Sequence, residues 1–167
     1  MLTRGNSKLG KIYNWSIPAI KTCPGRSKLC EALCYAAEGF FLMPSVKKVY
    51  AKNWRTANTK SFADRMIAEI HKKKCDIVRI HVAGDFFSAK YIRKWIKIIK
   101  ACPGTVFYAY TRSWRVKRLT AALKELAALE NIQLWWSVDK ETGRGPKHPR
   151  VRQAYLATDD TDIPAFE

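Results

Sequence analysis

Between residues 76 and 138 the chain repeats a short β-branched run followed by a helix-length amphipathic segment, and few folds satisfy that alternation. Residues 76–83 (Asp-Ile-Val-Arg-Ile-His-Val-Ala) form a run too rich in branched side chains for a helix, and Gly84-Asp85 ends it. Ser88 can then cap a helix whose Ile92, Trp95, Ile96 and Ile99 share one face, and Cys102-Pro103-Gly104 stops it. Residues 105–110 make a further strand. A helix over about residues 115–129 follows, with Leu119, Ala122, Leu123, Leu126 and Leu129 at helical spacing. Residues 132–138 make the next strand.

The same reading extends in both directions. Residues 11–20 alternate apolar and polar and predict a first strand. After it come a helix from Lys28, a helix after Pro44 to Asn58, and a helix opened by Ser61 with Asp64 as a capping box and closed by the basic run 71–74. Residues 140–167 read as a polar loop and C-terminal extension, with a short strand at 151–157. The connections are long enough for crossovers, and the strands look apolar enough to be covered on both faces. The expected fold class is therefore α/β, with about four to five parallel strands and flanking helices in one domain spanning residues 1–167.

Charge narrows the function classes. Lys and Arg number 31 against 14 Asp and Glu, a net +17, which favours polyanions and nucleic acid first among them. The basic side of the helix after Ser88, with Lys90, Arg93, Lys94, Lys97 and Lys100, is the candidate surface for phosphates. No apolar run approaches a membrane span and the first six residues lack a signal peptide's apolar stretch, so no membrane partner and a cytoplasmic location are expected.

In that compartment clustered thiols point to metal or redox chemistry rather than to bridges. Three of the five cysteines, Cys23, Cys30 and Cys34, fall within one short segment with spacings of six and then three residues. On a helix Cys30 and Cys34 lie one turn apart, and Cys23 can reach them through the Pro24-Gly25 turn. Three converging thiols suit an iron–sulfur cluster with one iron left open, or a zinc ion; the alternative is three small buried hydrophobes. Cys75 and Cys102 lie at the other ends of their elements and are not expected to be ligands.

Ligands gather at the C-terminal ends of parallel strands. Those ends carry Cys23, then Gly84-Asp85, then Thr111-Arg112, then Ser137 and Asp139. Gly84, Asp85, Thr111, Arg112, Ser137 and Asp139 are therefore candidate cofactor-binding residues. Gly84-Asp85 could equally be a helix-start turn, and Thr111-Arg112-Ser113 an ordinary strand-to-helix turn. His81 reads as a strand residue on the side of Arg79. Of the adjacent Trp135 and Trp136, one should face the core and the other the site.

The motifs Ile12-Tyr13-Asn14-Trp15-Ser16-Ile17-Pro18, Thr22-Cys23-Pro24-Gly25, Cys34-Tyr35-Ala36, His81-Val82-Ala83-Gly84-Asp85-Phe86-Phe87 and Tyr108-Ala109-Tyr110-Thr111-Arg112-Ser113 resemble the phage-encoded gene product 88 family over about residues 1–140. The layout is also similar to the radical S-adenosylmethionine superfamily, although that superfamily spaces its cysteines by three and then two. This resemblance implies a partial, open TIM-like barrel and a [4Fe-4S] cluster on Cys23, Cys30 and Cys34. It also implies S-adenosylmethionine as a cofactor, a glycine–acid turn at Gly84-Asp85 that seats it, and a location in the infected host cell. Three function classes follow: an iron–sulfur enzyme acting on nucleic acid or nucleotides, a basic nucleic-acid-binding protein with a structural metal, and a redox-sensing regulator.

Overall fold

The computed structural model describes residues 1–5 and 12–158. Its strands are β1 (Thr3–Arg4), β2 (Tyr13–Trp15), β3 (Ile77–Ile80), β4 (Val106–Thr111), β5 (Ile132–Val138) and β6 (Val151–Tyr155). Its helices are α1 (Lys28–Ala32), α2 (Pro44–Asn58), α3 (Phe62–Lys73), α4 (Ala89–Ala101) and α5 (Thr120–Ala127). The strands form one open sheet in sequence order; β2 to β6 are parallel and β1 pairs antiparallel with β2 at the edge.

Neighbouring parallel strands that follow one another in sequence send their crossovers to the same side. Helices α3, α4 and α5 accordingly pack side by side on one face. Beneath them Val78, Ile80, Phe107, Ala109, Leu134, Trp136 and Val138 are buried, while the alternate residues Arg79, Tyr108, Tyr110, Gln133, Trp135 and Ser137 stay partly open. The expectation of strands covered on both faces is corrected here: β4 and β5 alternate strictly, as one-sided strands do. The sheet is mixed α/β and does not close into a barrel.

The core centres on Trp15, Phe62, Tyr91 and Trp95. Their ring centroids lie 5.1–6.3 Å apart, which knits β2, α3 and α4 together. Each fully buried ring contributes on the order of 1.5–3 kcal/mol through apolar area removed from water. Trp15 Nε1 donates to Tyr91 Oη at 2.8 Å, so the indole is satisfied inside the core.

Several local expectations change. The first strand shrinks from 11–20 to Tyr13–Trp15, because Ile17 turns away to bond Ala83 O; residue 11 lies outside the described residues. Ser61 forms no capping box. Its hydroxyl shares a bond with Thr59, while Asp64 pairs with Lys97 at 2.5 Å. Two 3-10 turns, Ser113–Arg115 and Lys117–Leu119, replace the start of the expected helix at 115. The last strand covers Val151–Tyr155, and residues 159–167 of the expected extension lie outside the described residues.

Strand β3 stops at Ile80. His81 leaves the strand with φ +66°, a left-handed conformation costing about 1–3 kcal/mol in a residue with a Cβ. The fold holds it there: His81 N donates to Trp15 O at 2.9 Å, and the ring is packed against Phe86.

Candidate functional site

The C-terminal ends of β2 to β5 surround a cleft of about 160 Å³, lined among others by Cys23, Cys30, Cys34, Tyr35, Arg79 and His81. The cysteine segment reaches it through two close approaches. A Cβ on Gly25 would sit 2.0 Å from Arg112 O, so only glycine lets the loop lie on the end of β4. Gly84 has φ +84°, and a Cβ there would meet Ile17 Cγ1 at 2.4 Å and Thr22 Oγ1 at 2.7 Å.

Hydrogen bonds then fix the loop. Arg115 Nη1 donates to Gly25 O at 2.9 Å and Arg26 O at 3.0 Å. Ser27 caps α1 by accepting from Cys30 N at 3.0 Å, and its own hydroxyl donates to Asp139 Oδ2 at 2.6 Å. Lys28 N donates to Glu141 at 3.0 Å. On the other flank, Tyr35 Oη donates to Val82 O.

All three expected cysteines are free, half-buried and at the cleft, whereas Cys75 and Cys102 are buried away from it, with Cys102 Sγ 3.7 Å from His71 Nε2. Burial first, then the charge of Asp85 and of the other two thiols, pushes the Cys23 thiol up to about 12. Burial also raises Cys30, against the opposing pull of Arg112. Among the described residues, no group of three or more His, Cys, Asp or Glu side chains is disposed to hold a metal ion as it stands.

The polar candidates at the strand ends form a latch. Asp85 is buried and accepts from Phe86 N at 2.6 Å, Thr111 Oγ1 at 2.6 Å and Arg112 N at 2.9 Å. Burial nevertheless pushes its carboxyl up. Arg112 Nη1 donates to Asp139 Oδ2 at 2.5 Å, and both groups are buried. Burial opposes ionisation of Asp139, but the bonds from Ser27, from the backbone of Thr142 and Glu141 and from Arg112 outweigh it and hold this carboxyl below its usual range. Gly84, Asp85, Thr111, Arg112 and Ser137 all line the cleft, while Asp139 stands behind them. The carboxylates of Asp85 and Asp139 are occupied in joining β3, β4 and β5.

His81 is the site's reserve of polarity. Tyr91 Oη accepts from Trp15 Nε1 and shares a hydrogen bond with His81 Nε2 at 2.9 Å. The other ring nitrogen, Nδ1, is buried without a partner among the described residues. Burial first, then the charge of Arg79, holds the imidazole neutral by lowering its pKa to about 3.

Two cleft residues, Arg79 and Tyr35, lay outside the sequence-level candidates; strand phase alone would have placed Arg79 beside Tyr108 and Tyr110 on the sparsely covered face. The basic candidates on α4 divide. Lys90, Arg93, Lys97 and Lys100 are exposed, Lys97 pairs with Asp64, and Lys94 is half-buried, donating to Ala57 O at 2.6 Å and Thr59 O at 2.8 Å.

The model of the Gene product 88 family matches residues 1–166. The chain belongs to this family. Among gene product 88 relatives, the Gene 88 proteins of Mycobacterium phage L5 and Mycobacterium phage D29 are 29% and 28% identical over 151 residues. Each alignment covers 82% of this chain and 61% of the relative, so the chain spans about three-fifths of the length of these curated relatives. No solved structure matches it. No helix among the described residues is long and apolar enough to cross a membrane.

Proposed function

We propose that this gene product 88 chain is an iron–sulfur protein of the [4Fe-4S] type whose cluster is held by Cys23, Cys30 and Cys34, and that it acts on nucleic acid or nucleotides. The observation that carries the reading is the arrival of all three thiols at one cleft, on a loop that two glycines and Arg115 dock onto the strand ends. The composition of the donor set supports it: three soft sulfur ligands line one cleft while the neighbouring carboxylates are hydrogen-bonded elsewhere, which suits iron–sulfur centres or zinc rather than magnesium or calcium. Cluster thiolates bind separate irons, so they stand wider apart than the ligands of a single ion.

When bound, a cluster with three protein thiolates supplies one-electron redox chemistry and one iron open to a further ligand. The chain's own residues set the surroundings. Arg112 places positive charge beside Cys30, and Tyr35 and Val82 close one flank. A ligand with an amine and a carboxylate, S-adenosylmethionine being the one implied by resemblance, is the candidate for the open iron. The net charge of +17 supports a polyanionic substrate.

The test is iron, zinc and sulfide analysis of anaerobically purified protein, with EPR after reduction. Cys30→Ser should abolish loading and Cys102→Ser should leave it nearly intact; equal loss in both, or tightly bound zinc without sulfide, would overturn the reading. Incubating the reduced protein with S-adenosylmethionine and measuring 5′-deoxyadenosine separates an enzyme from a protein in which the centre only braces the fold or senses redox state.

A further inference from the structure

The sheet face opposite the helices carries a second arrangement, which starts at the rim of the cysteine cleft and runs out across the strands. Tyr110 and Trp135 are register partners on β4 and β5, with ring centroids 5.8 Å apart and planes 24° apart. Tyr108 adds an edge-on ring 6.3 Å from Tyr110. Two guanidiniums flank these rings: Arg79 Cζ lies 5.6 Å from the Tyr110 centroid, and Arg152 Cζ lies 5.3 Å from that of Trp135. Neither arginine is paired with a carboxylate among the described residues.

Two buried polar atoms mark the same face as unfinished. Among the described residues Arg79 Nε has no partner, and neither has Oδ1 of Asn14, its register neighbour on β2, a residue only 6% exposed. Buried groups of this kind ordinarily find partners, so this end of the face carries polarity that the core does not satisfy. The face also runs into the cleft, since Arg79, Tyr110 and Ser137 line both.

We infer that this face binds single-stranded nucleic acid, with bases against Tyr108, Tyr110 and Trp135 and phosphates at Arg79 and Arg152. Aromatic rings interleaved with cations, on a chain of this charge, match the chemistry of an unpaired strand. A duplex hides its base faces and cannot use the rings. The inference rests on the nucleic-acid part of the function proposed above and says where the strand lies: on the open sheet, leading to the cysteines, rather than on the lysines of α4.

The experiment is fluorescence anisotropy of the full chain with a labelled DNA strand about a dozen nucleotides long. It is run on protein as purified and after metal chelation, so that failure of the metal reading and failure of this one give separate results. Trp135→Ala and Arg152→Gln should each weaken binding about tenfold, stacking and a desolvated phosphate contact each having that order of effect. Arg152 is exposed, so its variant tests the face without a folding cost. Equal binding of a duplex, a mononucleotide that competes as well as the strand, or a loss confined to the Lys90→Gln/Lys100→Gln variant would overturn the inference.

Discussion

Gly25 shows how much of the cleft rests on one missing methyl group. Its Cα lies against the carbonyl of Arg112, and a Cβ there would be 2.0 Å from that oxygen. Gly25→Ala should lift the cysteine loop, destabilising the fold by about 1–3 kcal/mol as other overpacked contacts do. Denaturant titration would read the stability loss, and metal content the displaced thiols. Asp139 is the opposite case, a buried charge whose partners converge on it. Asp139→Ala leaves Arg112 buried and unpaired and should cost about 3–5 kcal/mol. His81 adds a pH dependence. The native ring is neutral down to about pH 3, whereas the unfolded chain takes up a proton below about 6.5. Its stabilising share is therefore complete above pH 6.5 and falls progressively from there to about pH 3, by at most about 1.4 kcal/mol per pH unit. Asparagine tolerates the left-handed backbone, so His81→Asn should flatten that part of the curve in urea titrations across pH.

Element by element, the helix starts marked by a local cap or proline were legible, and several strand ends were not. Helix α4 begins at Ser88 as its sequence says, with Ser88 Oγ accepting from Tyr91 N at 3.2 Å, and α2 begins at Pro44. Periodicity could not show that His81 turns out of β3, because a single left-handed residue leaves the alternation of apolar and polar side chains before it unchanged. The two-residue strand β1 is too short to carry a pattern at all. Nor could charge spacing reveal that Lys94 caps the end of α2 while Lys97 meets α3. That difference is measurable. Lys94→Met removes charge-assisted bonds to Ala57 O and Thr59 O and should cost about 1.5–3 kcal/mol. Lys97→Gln breaks a solvent-exposed pair and should cost less than about 1 kcal/mol. Thermal melts of the two variants would order them.

At the scale of the whole molecule, the hydrophobic core and the cysteine cleft are separate structures sharing one sheet. The buried cluster of Trp15, Phe62, Tyr91 and Trp95 contains none of Cys23, Cys30 and Cys34. Metal-free protein should therefore keep its far-UV circular dichroism, and loading should raise the melting temperature through binding to the native state alone; an apo chain without helical signal would show instead that the centre holds the fold. The candidate cysteines were legible because their spacing is local, whereas the latch from Asp85 to Arg112 to Asp139 was legible only as a set of strand ends. The docking of Gly25 against Arg112 has a temporal consequence. The cradle for the thiols is built from a carbonyl nearly ninety positions further along the chain, and contacts of such separation form only once the intervening segments have ordered. Assembly of an inorganic centre would follow the seating of β4, and until then the nascent polypeptide would carry its sulfurs unsheltered from oxidants.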